Sequence, residues 1–226
     1  MTSSMTDLDT GSKPRRRPRR SAEQNRAEIL KAATTEFATH GYAGARIDRI
    51  VKKSGSNPRM IYEQFGSKSA LYVATLESAL GALRTEELKL DLMHLDPLEG
   101  LLKLFDFMNG HLERNGHLVS LLRSENMMKA RHMKKSPRIQ EMSSPVLGMT
   151  QRLLARGVAE GRLAPDIDPL RLYVMIAALS QFHVANMHTL SSEFETDLSA
   201  ADWLTRRRND ARAMLAAYLT RGVEEA

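Results

Sequence analysis

The 226-residue chain has no cysteine. Disulfide frameworks, cysteine-bound zinc and thiol nucleophiles are therefore excluded, and a reducing compartment is compatible. Aromatic residues make up only 5% of the chain, and tryptophan occurs once. Leu, Ala and Met carry the apolar load while β-branched residues are sparse, which favours helix over strand. No convincing strand run and no internal repeat is present. An unbroken apolar span is also missing. The longest stretch without Asp, Glu, Lys or Arg, residues 172–192, contains Ser180, Gln181, His183, Asn186, His188 and Thr189, which suits a buried helix rather than a membrane crossing. The first residues carry charge but no apolar run, so a signal peptide is not expected.

The signatures of catalysis are missing as well. There is no G-x-S-x-G, no P-loop and no dinucleotide fingerprint. The seven histidines are scattered, and His183 and His188, five residues apart, fall well off a common helix face. No catalytic residue, metal site or cofactor is expected.

What is present is an uneven charge distribution. Residues 1–68 hold 14 Lys and Arg against 7 Asp and Glu, whereas the remainder holds 19 against 20, so all of the net +6 lies in the first third. This points to a polyanionic partner for the N-terminal part. A membrane surface or a solubility tail would suit the charge alone. Residues 1–20 lack apolar periodicity and carry Arg15, Arg16, Arg17, Arg19 and Arg20 among prolines, a basic arm expected to be disordered when free.

Order is expected from Ser21, a helix N-cap, with Ile29, Ala33 and Phe37 on one face and a stop at Gly41. A short helix carries Ile47, Ile50 and Val51 and ends at Gly55. Asn57 then caps a third helix, with Pro58 at its first position, where a missing N–H costs nothing. Ile61 and Phe65 form its inner face, Gly66 ends it, and Ser67 caps a fourth helix through Leu71, Leu76 and Leu80. Beyond residue 95 the pattern is long helices with short breaks. Pro97 opens one, Gly116 and Pro137 separate the next two, and Gly161 and Pro165 stop the third. Asp168 and Pro169 start another, to about His188. Ser199 with Asp202 resembles a capping box for the last. The expectation is an all-α chain of about nine helices.

Three short helices with a glycine turn between the second and third describe a helix-turn-helix, although plain bundles contain such turns too. The residues add more. Ile29-Leu30-Lys31-Ala32-Ala33, Phe37, Gly41-Tyr42, Ile50, Gly55 and the run from Ile61-Tyr62 through Phe65-Gly66-Ser67-Lys68 to Leu71 resemble the N-terminal domain of the tetracycline-repressor (TetR) family, over residues 26–72. The resemblance implies three parts: a basic arm (1–20), a helix-turn-helix DNA-binding domain (21–68) and a helical effector-binding and dimerisation domain (69–226). It implies a ligand-responsive repressor that binds a palindromic operator as a homodimer in the cytoplasm, on the nucleoid when bound to DNA. The effector is an unidentified small molecule, and no membrane is involved. An architectural or non-specific DNA-binding protein and an activator of the same fold are the alternatives.

By the same resemblance the helix from Asn57 to Gln64 enters the major groove. Asn57 and Pro58 stand at its start, and Arg59, Met60, Glu63 and Gln64 are candidate base readers. Tyr62 and Lys68 match phosphate contacts. Packing is the other reading for Met60, and a solvated charge for Glu63. Arg46 stands where relatives carry a hydroxyl cap, so it offers a longer phosphate contact but a weaker start to the second helix. Arg59 stands where glycine is usual and offers a fork suited to guanine. The arginines of the arm add a second DNA element.

In the C-terminal half the resemblance implies an effector pocket with Phe105, Met108, His111, Arg123, Asn126, Met127, Met149, Phe182, His183 and Asn186 as candidates. Core packing is the competing reading for the methionines, a satisfied interior histidine for His183, and an ordinary ion pair with Glu125 for Arg123. It also implies a dimer interface from the last two helices, with Tyr173, Met175, Ile176, Leu179, Trp203, Met214, Leu215 and Tyr218. Residues 172–179 are apolar all round, which predicts burial on more than one face.

Overall fold

The computed structural model describes residues 21–223. Among them are nine α-helices and no strand: α1 (Ala22–Gly44), α2 (Ile47–Ser54), α3 (Pro58–Phe65), α4 (Lys68–Leu88), α5 (Pro97–Arg114), α6 (Gly116–Met127), α7 (Pro137–Ala159), α8 (Pro169–Glu193) and α9 (Ala201–Thr220). A 3-10 turn, Met133–Lys135, precedes α7. The arginines of the basic arm lie outside the described residues.

Local side chains set most of the helix starts. Ser21 and Gln24 form a reciprocal capping box on α1. The Met60 N–H donates to Asn57 Oδ1 over 2.8 Å, with Pro58 at the first position of α3. Ser67 Oγ accepts from the Ala70 N–H, and Asp168 Oδ1 from the Arg171 N–H. Gly41, where a stop is expected, breaks the helical backbone (φ 63°), and helix resumes beyond it to Gly44. Two ends differ from the sequence expectation. The expected capping box at Ser199 is absent: its N–H turns to Asp197 Oδ1 (2.8 Å), so α9 begins at Ala201 without a side-chain cap. α8 runs on to Glu193, beyond His188.

Packing follows the apolar faces. Ile29, Ala33, Phe37, Ile50 and Ile61 are fully or almost fully buried, and they knit α1, α2 and α3 into a head. α1 packs against α6 as well as α2 and α4, so the head is seated on the body rather than hung from it. α5 is the central helix of the body, with α7, α8 and α9 packed around it and eleven of its 18 residues buried. The end of α7 passes close to Pro97 and Leu163. A Cβ at Gly157 would overlap the Leu163 side chain, so only glycine fits that approach.

Within the protomer only one face of residues 172–179 is covered. Leu172 and Ile176 are fully buried, but Leu170, Val174 and Met175 are exposed. α8 buries one side and leaves an apolar stripe on the other.

Candidate nucleic-acid interface and effector-binding half

The head presents α3 to solvent by its outer face. Asn57, Pro58, Arg59, Tyr62 and Glu63 are exposed, and Ile61 and Phe65 point inward. Arg59 Nε lies 2.7 Å from Glu63 Oε1, an i,i+4 ion pair on the open surface that leaves both Nη groups free. Arg46 is exposed at the start of α2, and Lys68 lies at the first turn of α4 with its Nζ 5.0 Å from the Tyr42 ring centre. Burial pushes the Lys68 ammonium below its ordinary range. Two expected base readers are placed differently. Met60 is half-buried and packs on the head core, and Gln64 is half-buried with its Oε1 withdrawn from solvent and unpaired. The outward set is therefore Arg46, Asn57, Arg59, Tyr62 and Glu63, and the Asn57 oxygen already serves as a cap.

Sequence reasoning missed Glu36. Its side chain is 7% exposed, and Oε1 accepts from the Arg46 N–H (2.9 Å) and from Arg49 Nε (2.7 Å). Arg49 also donates to the Gly44 carbonyl (2.7 Å). The carboxylate thus holds the N–H of Arg46, the residue that begins α2, from a neighbouring helix, while no N-cap side chain caps the first turn of α2. One signal was available: Glu36 is seven residues from Ile29, on the inward face of α1. Burial pushes its carboxyl up, but the hydrogen bonds from Arg49 and Arg46 and the charges of Arg49 and His40 outweigh this and hold it below the ordinary 4.5. A depressed carboxyl stabilises the folded head fully above 4.5, and the contribution is lost as pH falls through the lower folded value. Glu36→Ala is expected to cost about 1.5–3 kcal/mol, read as a lower urea midpoint, with a shallower decline than the parent over the acid range.

The ten effector candidates do not converge. Phe105 and Met108 are packed in the core of the body, and His111 is buried beneath a cleft on α4 and α5 with Nδ1 3.1 Å from Glu86 Oε2. Met149 borders a different cleft, beside Leu88 and Met93. Arg123, Asn126 and Met127 are exposed on α6, and Met127 is 81% accessible. Glu125 does not pair with Arg123; it is fully buried and holds His132 Nδ1 at 2.9 Å. Phe182 is exposed, His183 is buried beside it, and Asn186 donates to the Phe182 carbonyl.

The dimer candidates divide in the same way. Ile176 and Leu215 belong to the protomer's own core. Tyr173 turns inward, where Arg84 donates to its hydroxyl and also pairs with the fully buried Glu87. Burial and the Glu87 charge push the phenol up to about 12. Leu179, Trp203 and Tyr218 are half-buried, while Met175 and Met214 are open to solvent. A second buried network joins α5, α8 and α9. Arg207 donates to Asn109 Oδ1 (2.9 Å) and to the Leu179 carbonyl, while Asn109 Nδ2 and His183 Nε2 both meet Glu113 Oε1, at 2.7 and 3.1 Å. Among the described residues no group of three or more His, Asp or Glu could hold a metal ion, and no helix is long and apolar enough to cross a membrane.

The head, residues 29–75, matches the family model for bacterial regulatory proteins of the tetR family, and residues 97–215 match the tetracyclin repressor-like C-terminal domain. The chain belongs to the tetR family. Over 188 residues it is 37% identical to the HTH-type transcriptional repressor NicS of Pseudomonas putida, covering 81% of this chain and 89% of NicS. Over 61 residues, 27% of this chain and 32% of the relative, it is 44% identical to the repressor SCO4008 of Streptomyces coelicolor. Among solved structures the tetR fold recurs in the regulator SCO4942 of Streptomyces coelicolor (TM-score 0.66, 24% identity, 87% of this chain and 99% of that one). It recurs again in FadR of Bacillus subtilis in complex with stearoyl-CoA (TM-score 0.62, 16% identity, 85% and 98%). Like other tetR-family proteins, this chain is a DNA-binding transcriptional regulator; the family is one of regulators and not of enzymes.

Proposed function

We propose that the chain is an effector-responsive repressor that acts in the cytoplasm as a homodimer on a palindromic operator. Residues 21–68 form the reading head, and residues 69–226 the effector-binding and dimerisation part. The observation that carries this is the outer face of α3, where Arg59, Tyr62 and Glu63 stand exposed on a helix anchored by Ile61 and Phe65. Arg59 and Glu63 read base edges, while Tyr62, Arg46 and Lys68 hold phosphates. Repression is supported by the similarity to NicS, and effector control by the ligand held in the FadR structure. The apolar stripe of α8, with Leu170, Val174 and Met175 exposed, supplies a self-complementary face for a second copy. An effector that prefers one arrangement of the body shifts the spacing of the heads, because α1 rests on α6.

Selection of bound sequences from random DNA tests this reading. The expected product is a near-palindrome whose half-sites lie about one helical turn apart, bound at least about 10³-fold more tightly than bulk DNA. An affinity ratio near unity would mark a non-specific DNA-binding protein instead.

A further inference from the structure

The segment that joins α6 to α7 carries a charge that the rest of the body does not. Residues 126–140 hold Lys129, Arg131, Lys134, Lys135 and Arg138 and no Asp or Glu, whereas the remainder of residues 69–226 holds 14 Lys and Arg against 20 Asp and Glu. Lys129, Arg131, Lys134 and Lys135 are exposed, and among the described residues no carboxylate pairs with any of them. The carboxylates that hold the segment are engaged elsewhere. Glu125 turns inward to His132, and Glu77 Oε1 accepts from Ser136 Oγ at 2.6 Å. Four like charges within a short turn repel one another, and a polyanion laid across them relieves that repulsion.

Two contacts place the segment beside the reading head. Lys135 Nζ lies 3.3 Å from Ser69 Oγ, in the first turn of α4. His132 packs on Tyr42 at 4.3 Å between ring centres, and the Lys68 Nζ lies 5.0 Å from the centre of the same Tyr42 ring. The cations of the segment therefore continue the positive surface that begins at Lys68. The backbone that carries them is pinned, because the N–H groups of His132 and Met133 both donate to Glu125 at 3.0 Å. Arg138 stands apart, on α7, where it borders a cleft with Glu77 and Glu141. Charge alone suits any polyanion, an acidic protein or an anionic membrane included. The contacts with Ser69 and Tyr42 favour the one that Lys68 holds.

We propose that Lys129, Arg131, Lys134 and Lys135 form a second phosphate-binding surface, on the body rather than the head, that grips the DNA backbone next to the Lys68 contact. It rests on the reading of Lys68 as a phosphate contact. Such a surface adds affinity and no base preference, because phosphates are alike at every position.

The salt dependence of binding tests this, with the full-length protein on a random-sequence duplex and on the duplex recovered by selection. Each phosphate contact contributes about 0.9 to the slope of log affinity against log salt. Lys134→Gln with Lys135→Gln is expected to make the slope shallower by about 1–2, and so is Lys129→Gln with Arg131→Gln. The base preferences recovered by selection should stay as they are. Lys103→Gln with Arg138→Gln removes the same charge from exposed positions on α5 and α7 and should leave the slope unchanged. All six positions are exposed, so urea midpoints are expected to match the parent's. An unchanged slope in both segment variants, or an equal fall in the Lys103 and Arg138 variant, would overturn the proposal. Lys68→Gln is read in the same way and should lower the slope by about 1. If it alone does so, the second surface is lost. If only the segment variants do so, the body holds DNA and the Lys68 contact is lost.

Discussion

Val174→Glu is expected to convert the proposed homodimer to monomers and to lower operator affinity by about 10²–10⁴-fold, although the residue is far in sequence from the head. Val174 is 57% exposed in the protomer and lies on the α8 stripe with Leu170 and Met175. A carboxylate there costs the isolated protomer little, because it stays in water. Across a two-fold interface the same change places two like charges in an apolar patch, and each must be desolvated. The DNA effect follows from linkage of two heads. Once one head is bound, the second meets its half-site at a high effective concentration, and that advantage disappears with the dimer. Sedimentation and operator titration of the same sample check both parts. A Val174→Glu protein that remains dimeric would move the interface away from α8.

Glu125→Ala is expected to be the most destabilising of the proposed single substitutions, by about 3–5 kcal/mol. Glu125 and His132 are both almost completely buried, at 1% and 3% side-chain exposure. The carboxylate accepts from the N–H groups of His132 and Met133, both at 3.0 Å, and meets the His132 ring at 2.9 Å. It therefore closes the loop between α6 and α7, where Lys129 and Ala130 take left-handed backbone angles (φ 56° and 55°) that non-glycine residues adopt at a cost. The His132 ring packs edge-on against Tyr72 and beside Tyr42, at 4.9 and 4.3 Å between ring centres, and the Tyr72 ring in turn meets Phe37 of α1. Loss of Glu125 leaves buried donors unpaired and loosens the seat of the head. Urea unfolding should show the drop, and Glu125→Gln, which keeps an acceptor in the same place, should recover part of it. A midpoint within error of the parent would show that water replaces the carboxylate.

How much of this could be read from the sequence depends on the distance over which each interaction acts. The caps at Ser21, Asn57 with Pro58, Ser67 and Asp168 with Pro169 were legible because donor and acceptor lie within three residues. The inward positions Ile29, Phe37, Ile61 and Phe65 were legible from helical periodicity. Glu36 was not, because the N–H it accepts from lies ten residues away, at the start of another helix. Proximity in sequence offers Arg123 as an ion-pair partner for Glu125, yet a turn brings His132 to it. In α8 the composition told that the helix is apolar but not which face is covered. Ile176 therefore belongs to the core, and Phe182, named for an enclosed pocket, stands exposed at the rim of a cleft. The effector candidates scattered for the same reason, since residue type does not fix where a side chain on a long helix points.

The central claim is that the outer face of α3 reads DNA, and base-resolved selection with the parent and Arg59→Ala tests it most directly. Arg59 carries its Nε on Glu63 and has both Nη groups free, the geometry that suits guanine O6 and N7. The account predicts that the parent recovers a palindrome with a guanine at one symmetric pair of positions. Arg59→Ala should keep the palindrome, lose the preference at that pair alone, and bind about 1–3 kcal/mol more weakly per half-site. Identical base preferences in the two proteins, or a loss of affinity that is the same for every sequence, would contradict it.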